Sequence, residues 1–138
     1  MAGMTWVPTQ KEIDSVIAAD GRHRYEYFIH RVCEAKAVWA LYNDGWASVG
    51  QETGEPMIPF WPHPAYAQAF AVGAWSTFTP RKIELDEFLR AWLPGLREKG
   101  IEPAIFPVAT GTSVVVSLDD LEQHLRHELQ EVYGVDPT

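Results

Sequence analysis

The sequence predicts one α+β domain, in which two β-hairpins and a few short strands form a largely antiparallel or mixed sheet packed with four to five helices. Three observations lead to this prediction. The chain has 138 residues, of which 46% are hydrophobic, and this suits one globular domain rather than two. Segments with apolar residues at helical spacing give way to segments of strand-like composition. Two of these strand-like segments fold back at turn residues, whereas a doubly wound parallel sheet would alternate single strands with helices.

The N-terminal part is predicted to hold two helices. A short helix begins at Thr9 or Gln10 and ends at Asp20-Gly21, and a second helix runs over about 22–36. Apolar residues of the second helix fall at the spacing of one buried stripe, namely Tyr25, Phe28, Ile29 and Val32. Its charged residues are expected to face elsewhere, namely Arg24, Glu26 and Arg31.

The composition then changes to that of a hairpin. Residues 38–42 are rich in strand-forming types, the turn is Asn43-Asp44-Gly45, and residues 46–49 return as the second strand. A polar connection over 50–56 leads to a short strand over 57–61, and the prolines of this strand favour a sheet edge.

The middle of the chain is predicted to contain two further helices separated by a short strand. The first runs from Pro64 to about Val72, with Gly73 as its stop, and residues 81–84 can form the strand. The second helix, over 85–100, should be kinked at Pro94, which cannot donate a backbone hydrogen bond. Its apolar stripe consists of Leu85, Phe88, Leu89, Trp92 and Leu96.

The C-terminal part is predicted to be a second hairpin followed by a helix. Residues 101–106 and 113–116 flank the turn 109–112, and Ser117 caps a helix that Gly134 ends. The apolar face of this helix consists of Leu118, Leu121, Leu125, Leu129 and Val132. We therefore divide the chain into an N-terminal helical extension (1–21), a single α+β domain (22–134) and a short tail (135–138).

Several sequence motifs together resemble the small bacterial family catalogued as domain of unknown function 2750. These motifs are Arg24-Tyr25-Glu26-Tyr27-Phe28, residues 38–47, the stretch Phe60-Trp61-Pro62-His63-Pro64 with its continuation to Ala67, residues 85–89, Trp92-Leu93-Pro94-Gly95-Leu96, and residues 114–117. The resemblance covers about 22–133. Because the family has no established reaction or ligand, the resemblance implies no role for any residue.

Charge and composition exclude several classes of function. The net charge is −8, which disfavours nucleic acid and anionic membranes as partners. From residue 117 onward there are six acidic residues and one basic residue, so this segment carries most of the excess. No apolar run is long enough to cross a bilayer, the N-terminus does not resemble a signal peptide, and Cys33 has no disulfide partner. We therefore expect a cytoplasmic protein.

The sequence also lacks the usual catalytic signatures. It has no Walker A loop, no Gly-x-Gly-x-x-Gly turn and no Gly-x-Ser-x-Gly elbow. Four possible metal ligands share one stripe of the last helix, namely Asp120, His124, His127 and Glu131. This stripe points away from the leucines, and an exposed stripe has few neighbours to orient ligands, so we expect no metal and no cofactor.

A cluster of aromatic and basic residues between positions 61 and 81 gives a candidate cleft. Its members are Trp61, His63, Tyr66, Trp75 and Arg81. Loops could bring these side chains together at the mouth of a cleft, although tryptophan and tyrosine also fill cores, and His63 could simply cap the following helix.

Two functional hypotheses follow from these features. The first is a non-catalytic protein-interaction module whose acidic surface attracts a basic protein, as toxin-neutralising immunity proteins do by analogy. Its steering residues would be Asp120, Glu128 and Glu131. The alternative is a small enzyme or small-molecule-binding domain that uses the cleft around Trp61 and His63. The sequence favours the first hypothesis and leaves the identity of the partner and the oligomeric state open.

Overall fold

The computed structural model describes residues 6–49, 56–108 and 114–134. The helices of these residues are α1 (Gln10–Ala18), α2 (Gly21–Ala35), α3 (Pro64–Phe70), α4 (Leu85–Glu87), α5 (Leu93–Lys99) and α6 (Leu118–Tyr133). The strands are β1 (Ala37–Tyr42), β2 (Met57–Phe60), β3 (Thr79–Glu84), β4 (Glu102–Ile105) and β5 (Val114–Val115). The fold class is therefore α+β, as the sequence predicted. The predicted turn at 109–112, the connection 50–55 and the tail 135–138 lie outside the described residues.

Side-chain caps fix the starts of α1, α2 and α6; Thr9 and Ser117 were predicted at helix starts, whereas Asp20, predicted as the end of the first helix, caps α2. The side chain of Thr9 accepts a hydrogen bond from the Glu12 N–H at 3.1 Å, and Asp20 Oδ1 accepts one from the His23 N–H at 2.9 Å. Ser117 Oγ caps α6 in the same way, since it accepts a hydrogen bond from the third residue of that helix. Each cap satisfies a backbone donor that has no partner within the helix.

The strands form two small sheets rather than one continuous sheet. β1 pairs antiparallel with β3, while β2 pairs parallel with β4 and β4 pairs antiparallel with β5. Within the described residues, one antiparallel bridge joins the sheets, and in it Trp39 and Trp61 exchange backbone hydrogen bonds of 2.9 and 2.8 Å. The proline-containing strand β2 lies at the edge of its sheet, as predicted.

The first predicted hairpin forms its turn but only a short ladder. Asp44 and Gly45 have positive φ, and the returning segment pairs with β1 only through a bridge between Tyr42 and Trp46. On its other edge, β1 uses all six residues to pair with β3, from Ala37 opposite Glu84 to Tyr42 opposite Thr79. The hairpin ladder is short because Trp61 already occupies the backbone groups of Trp39 on the hairpin edge of β1.

The helical segment from α4 to α5 is continuous but contains a π-helix over Phe88–Trp92. Because Pro94 has no N–H, the regular pattern fails here, and the Leu93 N–H donates to the Phe88 carbonyl five residues earlier. The helix is therefore distorted in the turn that precedes Pro94 rather than at Pro94 itself. If this segment counts as one helix, the described residues contain five, which agrees with the prediction.

Most residues of the predicted apolar stripes belong to the core, while Tyr25, Trp92 and Leu118 are partly buried against it. The buried members are Phe28, Ile29 and Val32 of α2, Leu85, Phe88, Leu89 and Leu96 of the α4–α5 segment, and Leu121, Leu125 and Leu129 of α6. Val132 is exposed at the end of α6, and Arg24, expected to face away from the core, is only 5% exposed. Its guanidinium donates to the carbonyls of Ala19 at 2.7 Å and Phe106 at 3.2 Å, which explains its burial. Among the described residues, no helix is long and apolar enough to span a membrane.

Candidate functional site

A groove between α2 and α6 is the best candidate for a functional site. We call it the α2–α6 groove, and its volume is about 440 Å³. Its lining consists of Arg22, Tyr25, Glu26 and Ile29 from α2 and of His124, His127 and Glu128 from α6. Ile29 and the ring of Tyr25 are the apolar part of this lining. The other side chains carry a charge or can acquire one by protonation.

The packing of α6 on α2 fixes the width of this groove. Leu121, Leu125 and Leu129 are fully or almost fully buried, and the Cys33 thiol of α2 donates to the Leu125 carbonyl at 3.6 Å. Burial and the nearby negative charge of Glu128 raise the pKa of the Cys33 thiol to about 12. The thiol therefore stays protonated near neutral pH and acts as a packed donor rather than as a nucleophile.

Two side-chain contacts cross the groove. The Tyr25 hydroxyl lies 2.5 Å from His124 Nδ1, and His30 Nδ1 lies 3.2 Å from the Glu128 carboxylate. Burial, together with the negative charge of Asp120, raises the pKa of Tyr25 to about 12, so its hydroxyl keeps its proton and can donate to the imidazole. These contacts connect α2 directly to α6.

Ion pairs neutralise the acidic residues on one side of α6. Arg97 lies 2.6 Å from Asp119 and 3.6 Å from Glu122, and Arg126 lies 2.9 Å from Glu122. The carboxylates that these arginines hold are therefore less available to an external cation.

The three predicted steering residues differ in availability. Asp120 and Glu131 are exposed, and neither forms an ion pair with any residue of the described ranges. Glu128 is less accessible to a partner, because its side chain is only 21% exposed and contacts His30. Two unpaired carboxylates therefore remain on α6, the helix that also supplies His124, His127 and Glu128 to the groove.

The possible metal ligands of α6 do not form a metal site with neighbouring elements. Within the part of the chain that the structure describes, no group of three or more histidine, cysteine, aspartate or glutamate side chains is arranged to hold a metal ion. His124 is engaged with Tyr25 instead.

The structure places the five residues of the candidate cleft in different surroundings. Trp61 has no exposed surface, its indole N–H donates to the Pro107 carbonyl at 3.0 Å, and its ring centre lies 5.3 Å from that of Phe70. Tyr66 is also buried and lines a cavity of about 60 Å³, which the other four predicted cleft residues do not line. This cavity is much smaller than the α2–α6 groove.

His63 is half-buried and acts as the cap of α3. Its Nδ1 accepts a hydrogen bond from the Ala65 N–H at 3.0 Å, and its ring centre lies 4.9 Å from that of Trp6. Burial lowers the pKa of His63, which favours the neutral imidazole that the cap requires. The capping role considered for this residue is therefore the one observed.

The two remaining cleft residues have separate partners. Trp75 packs its ring 5.3 Å from that of Phe78, and the exposed Arg81 stacks its guanidinium carbon 4.3 Å from the ring centre of Tyr42. The five residues thus contact different neighbours, because sequence proximity across two turns does not fix the direction of the side chains.

A polar cluster that the sequence did not reveal connects α1 to α2 and α3. The Tyr27 hydroxyl donates to the Glu12 carboxylate at 2.6 Å and accepts from the Tyr66 hydroxyl at 2.7 Å. Arg31 donates to the same carboxylate at 3.2 Å, and its guanidinium carbon lies 4.4 Å from the ring centre of Trp6. Burial and the hydrogen bond to Glu12 raise the pKa of Tyr27. These residues lie on separate elements, so no local motif signals the cluster.

The comparison with protein-family models identifies the relatives of this chain. The model described as "Protein of unknown function (DUF2750)" matches residues 25–125, which is well over half of the chain. This range begins at Tyr25 of the α2–α6 groove and ends at Leu125 of α6. No curated protein and no solved structure matches the chain. The resemblance seen in the sequence motifs is confirmed, and the chain belongs to the DUF2750 family.

Proposed function

We propose that the protein is a non-catalytic interaction module that binds a basic partner protein at the α2–α6 groove. One observation carries this proposal: α6 carries the unpaired carboxylates of Asp120 and Glu131 and also forms one wall of a groove of about 440 Å³, whose apolar lining is Tyr25 and Ile29. Protein–protein interfaces commonly have an apolar centre surrounded by a polar rim, and exposed charges next to a recessed apolar surface match this arrangement.

The charge distribution supports a basic partner. Residues 117–138 contain six acidic residues and one basic residue, a net charge of −5, whereas the whole chain has −8. The paired carboxylates Asp119 and Glu122 add less to the local field, so Asp120 and Glu131 are the strongest contributors from the described part of α6. Such a field acts mainly on the rate of association.

The apolar floor supports a protein partner rather than a free cation. A side chain inserted between the helices would contact Ile29 and the ring of Tyr25, while lysine or arginine next to it would meet Asp120. We therefore propose that the partner presents an apolar residue flanked by basic residues. We also propose a cytoplasmic location, since the single cysteine is a buried free thiol.

The proposal is tested by affinity capture with charge-reversal variants, followed by reconstitution of the pair from purified proteins. The test variant carries Asp120→Lys and Glu131→Lys. The control variant carries Asp14→Lys and Glu98→Lys, which are exposed acids outside the groove and give the same change in net charge. We expect a basic protein to be captured by wild type and by the control and lost with the test variant.

Two outcomes would contradict the proposal. Equal capture by the test variant would place the interaction elsewhere. Equal loss with both variants would show that net charge alone, without the groove, attracts the partner.

The purified variant Ile29→Ala measures the apolar contribution to binding. We expect its affinity for the reconstituted partner to be about tenfold lower than that of wild type.

A further inference from the structure

A second groove lies on the π-helical segment and shares no lining residue with the α2–α6 groove. Its volume is about 240 Å³. The apolar lining consists of Trp46, Ile58, Ala91, Trp92, Leu96 and Ile101, with Gly95 in the wall and Glu87 and Lys99 at the rim. We call it the tryptophan groove. The half-buried rings of Trp46 and Trp92 meet edge to face, with their centres 4.8 Å apart.

Gly95 lies in the wall of the tryptophan groove, and nothing in the local structure requires glycine at this position. Its φ is not in the left-handed region, and no atom lies within 4 Å of the position that a Cβ would occupy. Neither backbone conformation nor packing therefore requires glycine, which is one of the least favourable residues inside a helix. A side chain at position 95 would reduce the space that the groove offers to a ligand.

The π-helix brings the two charged rim residues onto the same face. Glu87 and Lys99 are twelve residues apart, which at about 100° per residue would place them about 120° apart on a regular α-helix. One extra residue in the π-turn reduces this angle to about 20°. Both side chains then border one groove, separated by roughly 17 Å along the helix. Neither forms an ion pair with any of the residues that the structure describes.

We propose that the tryptophan groove binds an extended peptide segment of another protein, about five residues long, with a basic residue beside Glu87 and an acidic residue beside Lys99. The first and fifth residues of an extended chain lie about 13 Å apart, because the chain advances about 3.3 Å per residue, and the long basic and acidic side chains at the two ends cover the remaining few ångströms to Glu87 and Lys99. In such a segment the first, third and fifth side chains point to one face. The two charged ends and one central apolar side chain can thus reach the groove together.

This binding site is independent of the proposed function at the α2–α6 groove. An uncharged apolar molecule would use the two tryptophans and leave both rim charges unpaired. A compact ligand would reach only one of the charges. The separation of opposite charges along an apolar surface therefore favours the extended peptide.

The experiment uses a capped pentapeptide with the order arginine, valine, leucine, valine, glutamate. A control peptide has glutamine at both ends. Binding is followed through the indole N–H signals of Trp46 and Trp92 in ¹H–¹⁵N spectra, assigned with the single variants Trp46→Phe and Trp92→Phe. We expect saturable shifts with a Kd below about 1 mM for the charged peptide and at least threefold weaker binding of the control peptide.

Variants of the protein test the geometry. Gly95→Leu should weaken binding at least about tenfold while the fold remains stable, because open space surrounds the new side chain. Ala18→Leu, an exposed helical position outside the groove, is the matched control and should bind normally. Glu87→Gln and Lys99→Gln should each weaken binding about two- to fivefold, as exposed ion pairs do.

Each contrary result overturns the proposal. Absence of saturable shifts up to about 5 mM peptide, or full binding by Gly95→Leu, would show that the groove is not a peptide site. Equal binding of the uncharged peptide would remove the role of the rim charges. Saturable binding of indole without binding of either peptide would indicate a small-molecule site instead. The Asp120→Lys and Glu131→Lys variant should bind the peptide normally, so failure at one groove does not imply failure at the other.

Discussion

The Tyr27 hydroxyl is the middle of a hydrogen-bond chain, and the direction of that chain makes the effect of removing it predictable. A carboxylate can only accept, so Tyr27 donates to Glu12 at 2.6 Å, and its oxygen must then accept from Tyr66 at 2.7 Å. Tyr27→Phe breaks both bonds and leaves the Tyr66 hydroxyl, on a residue only 2% exposed, without an acceptor. Tyr66→Phe breaks only the second bond.

The magnitudes follow from the type of each group. A hydrogen bond to a charged group contributes about 1.5–3 kcal/mol, and a buried polar group left unpaired costs about 1–3 kcal/mol. The Glu12 side chain is 26% exposed and keeps its contact with Arg31, so water and the guanidinium recover part of the loss. We therefore expect Tyr27→Phe to lower the free energy of unfolding by about 3 kcal/mol and Tyr66→Phe to lower it by about 1 kcal/mol.

Urea unfolding at pH 7, followed by far-UV circular dichroism, measures these differences. The double variant should cost no more than Tyr27→Phe alone, because the Tyr66 hydroxyl has then already lost its acceptor. Tyr42→Phe is the matched control, since the Tyr42 hydroxyl makes no hydrogen bond within the described ranges, and it should cost less than about 0.5 kcal/mol. The reasoning is refuted if Tyr66→Phe costs as much as Tyr27→Phe or if the two effects add.

Two further predictions concern titratable groups. Burial lowers the pKa of His63, so the unfolded chain binds that proton more tightly, and the contribution of His63 to stability is complete above about pH 6.5 and lost as the pH falls below it. Wild type should therefore lose stability in urea between about pH 7 and 5.5 more steeply than His63→Asn, which keeps a capping side chain, and equal slopes would contradict this. Burial raises the pKa of Cys33 to about 12, so dithiobisnitrobenzoate should modify the thiol in urea but not in the native protein. Equal rates in both conditions would show that the thiol is accessible.

The helices were predictable because their signals are local. Thr9, Asp20 and Ser117 lie within three residues of the backbone donors that they cap. The apolar stripes likewise depend on spacings of three and four residues. These features need no knowledge of the rest of the chain, so the sequence is enough to place the starts of α1 and α6, whereas Asp20 was interpreted as the end of α1 and not as the cap of α2.

The pairing of strands and the burial of Arg24 depend on distant residues. Ala37 pairs with Glu84, and the Arg24 guanidinium bonds to the Phe106 carbonyl, which is 82 residues away. Nothing in the sequence around Arg24 distinguishes it from an exposed helical arginine. Because strand pairing depends on such distant partners, the sequence predicted one sheet, whereas the structure has two sheets joined by a bridge.

The candidate sites show the same limit. Residues 61–81 contain chemically suitable side chains, but Trp61 is buried because its indole N–H meets the Pro107 carbonyl on another segment. The acidic stripe on α6 was predictable from composition, whereas its groove was not, since the floor comes from Tyr25 and Ile29 of α2. Residue types could be predicted from the sequence, and their assembly into a surface could not.

The rate at which the captured partner associates with purified wild type and with the Asp120→Lys and Glu131→Lys variant tests the central claim most directly. Stopped-flow measurements at low and high salt separate steering by charge from contact energy, because exposed charges are screened over about 8 Å at physiological ionic strength. We predict that the variant associates at least about tenfold more slowly at low salt and that the two rates converge at high salt. Equal rates at low salt, with the Asp14→Lys and Glu98→Lys control also unchanged, would contradict the assignment of the α2–α6 groove as the binding surface.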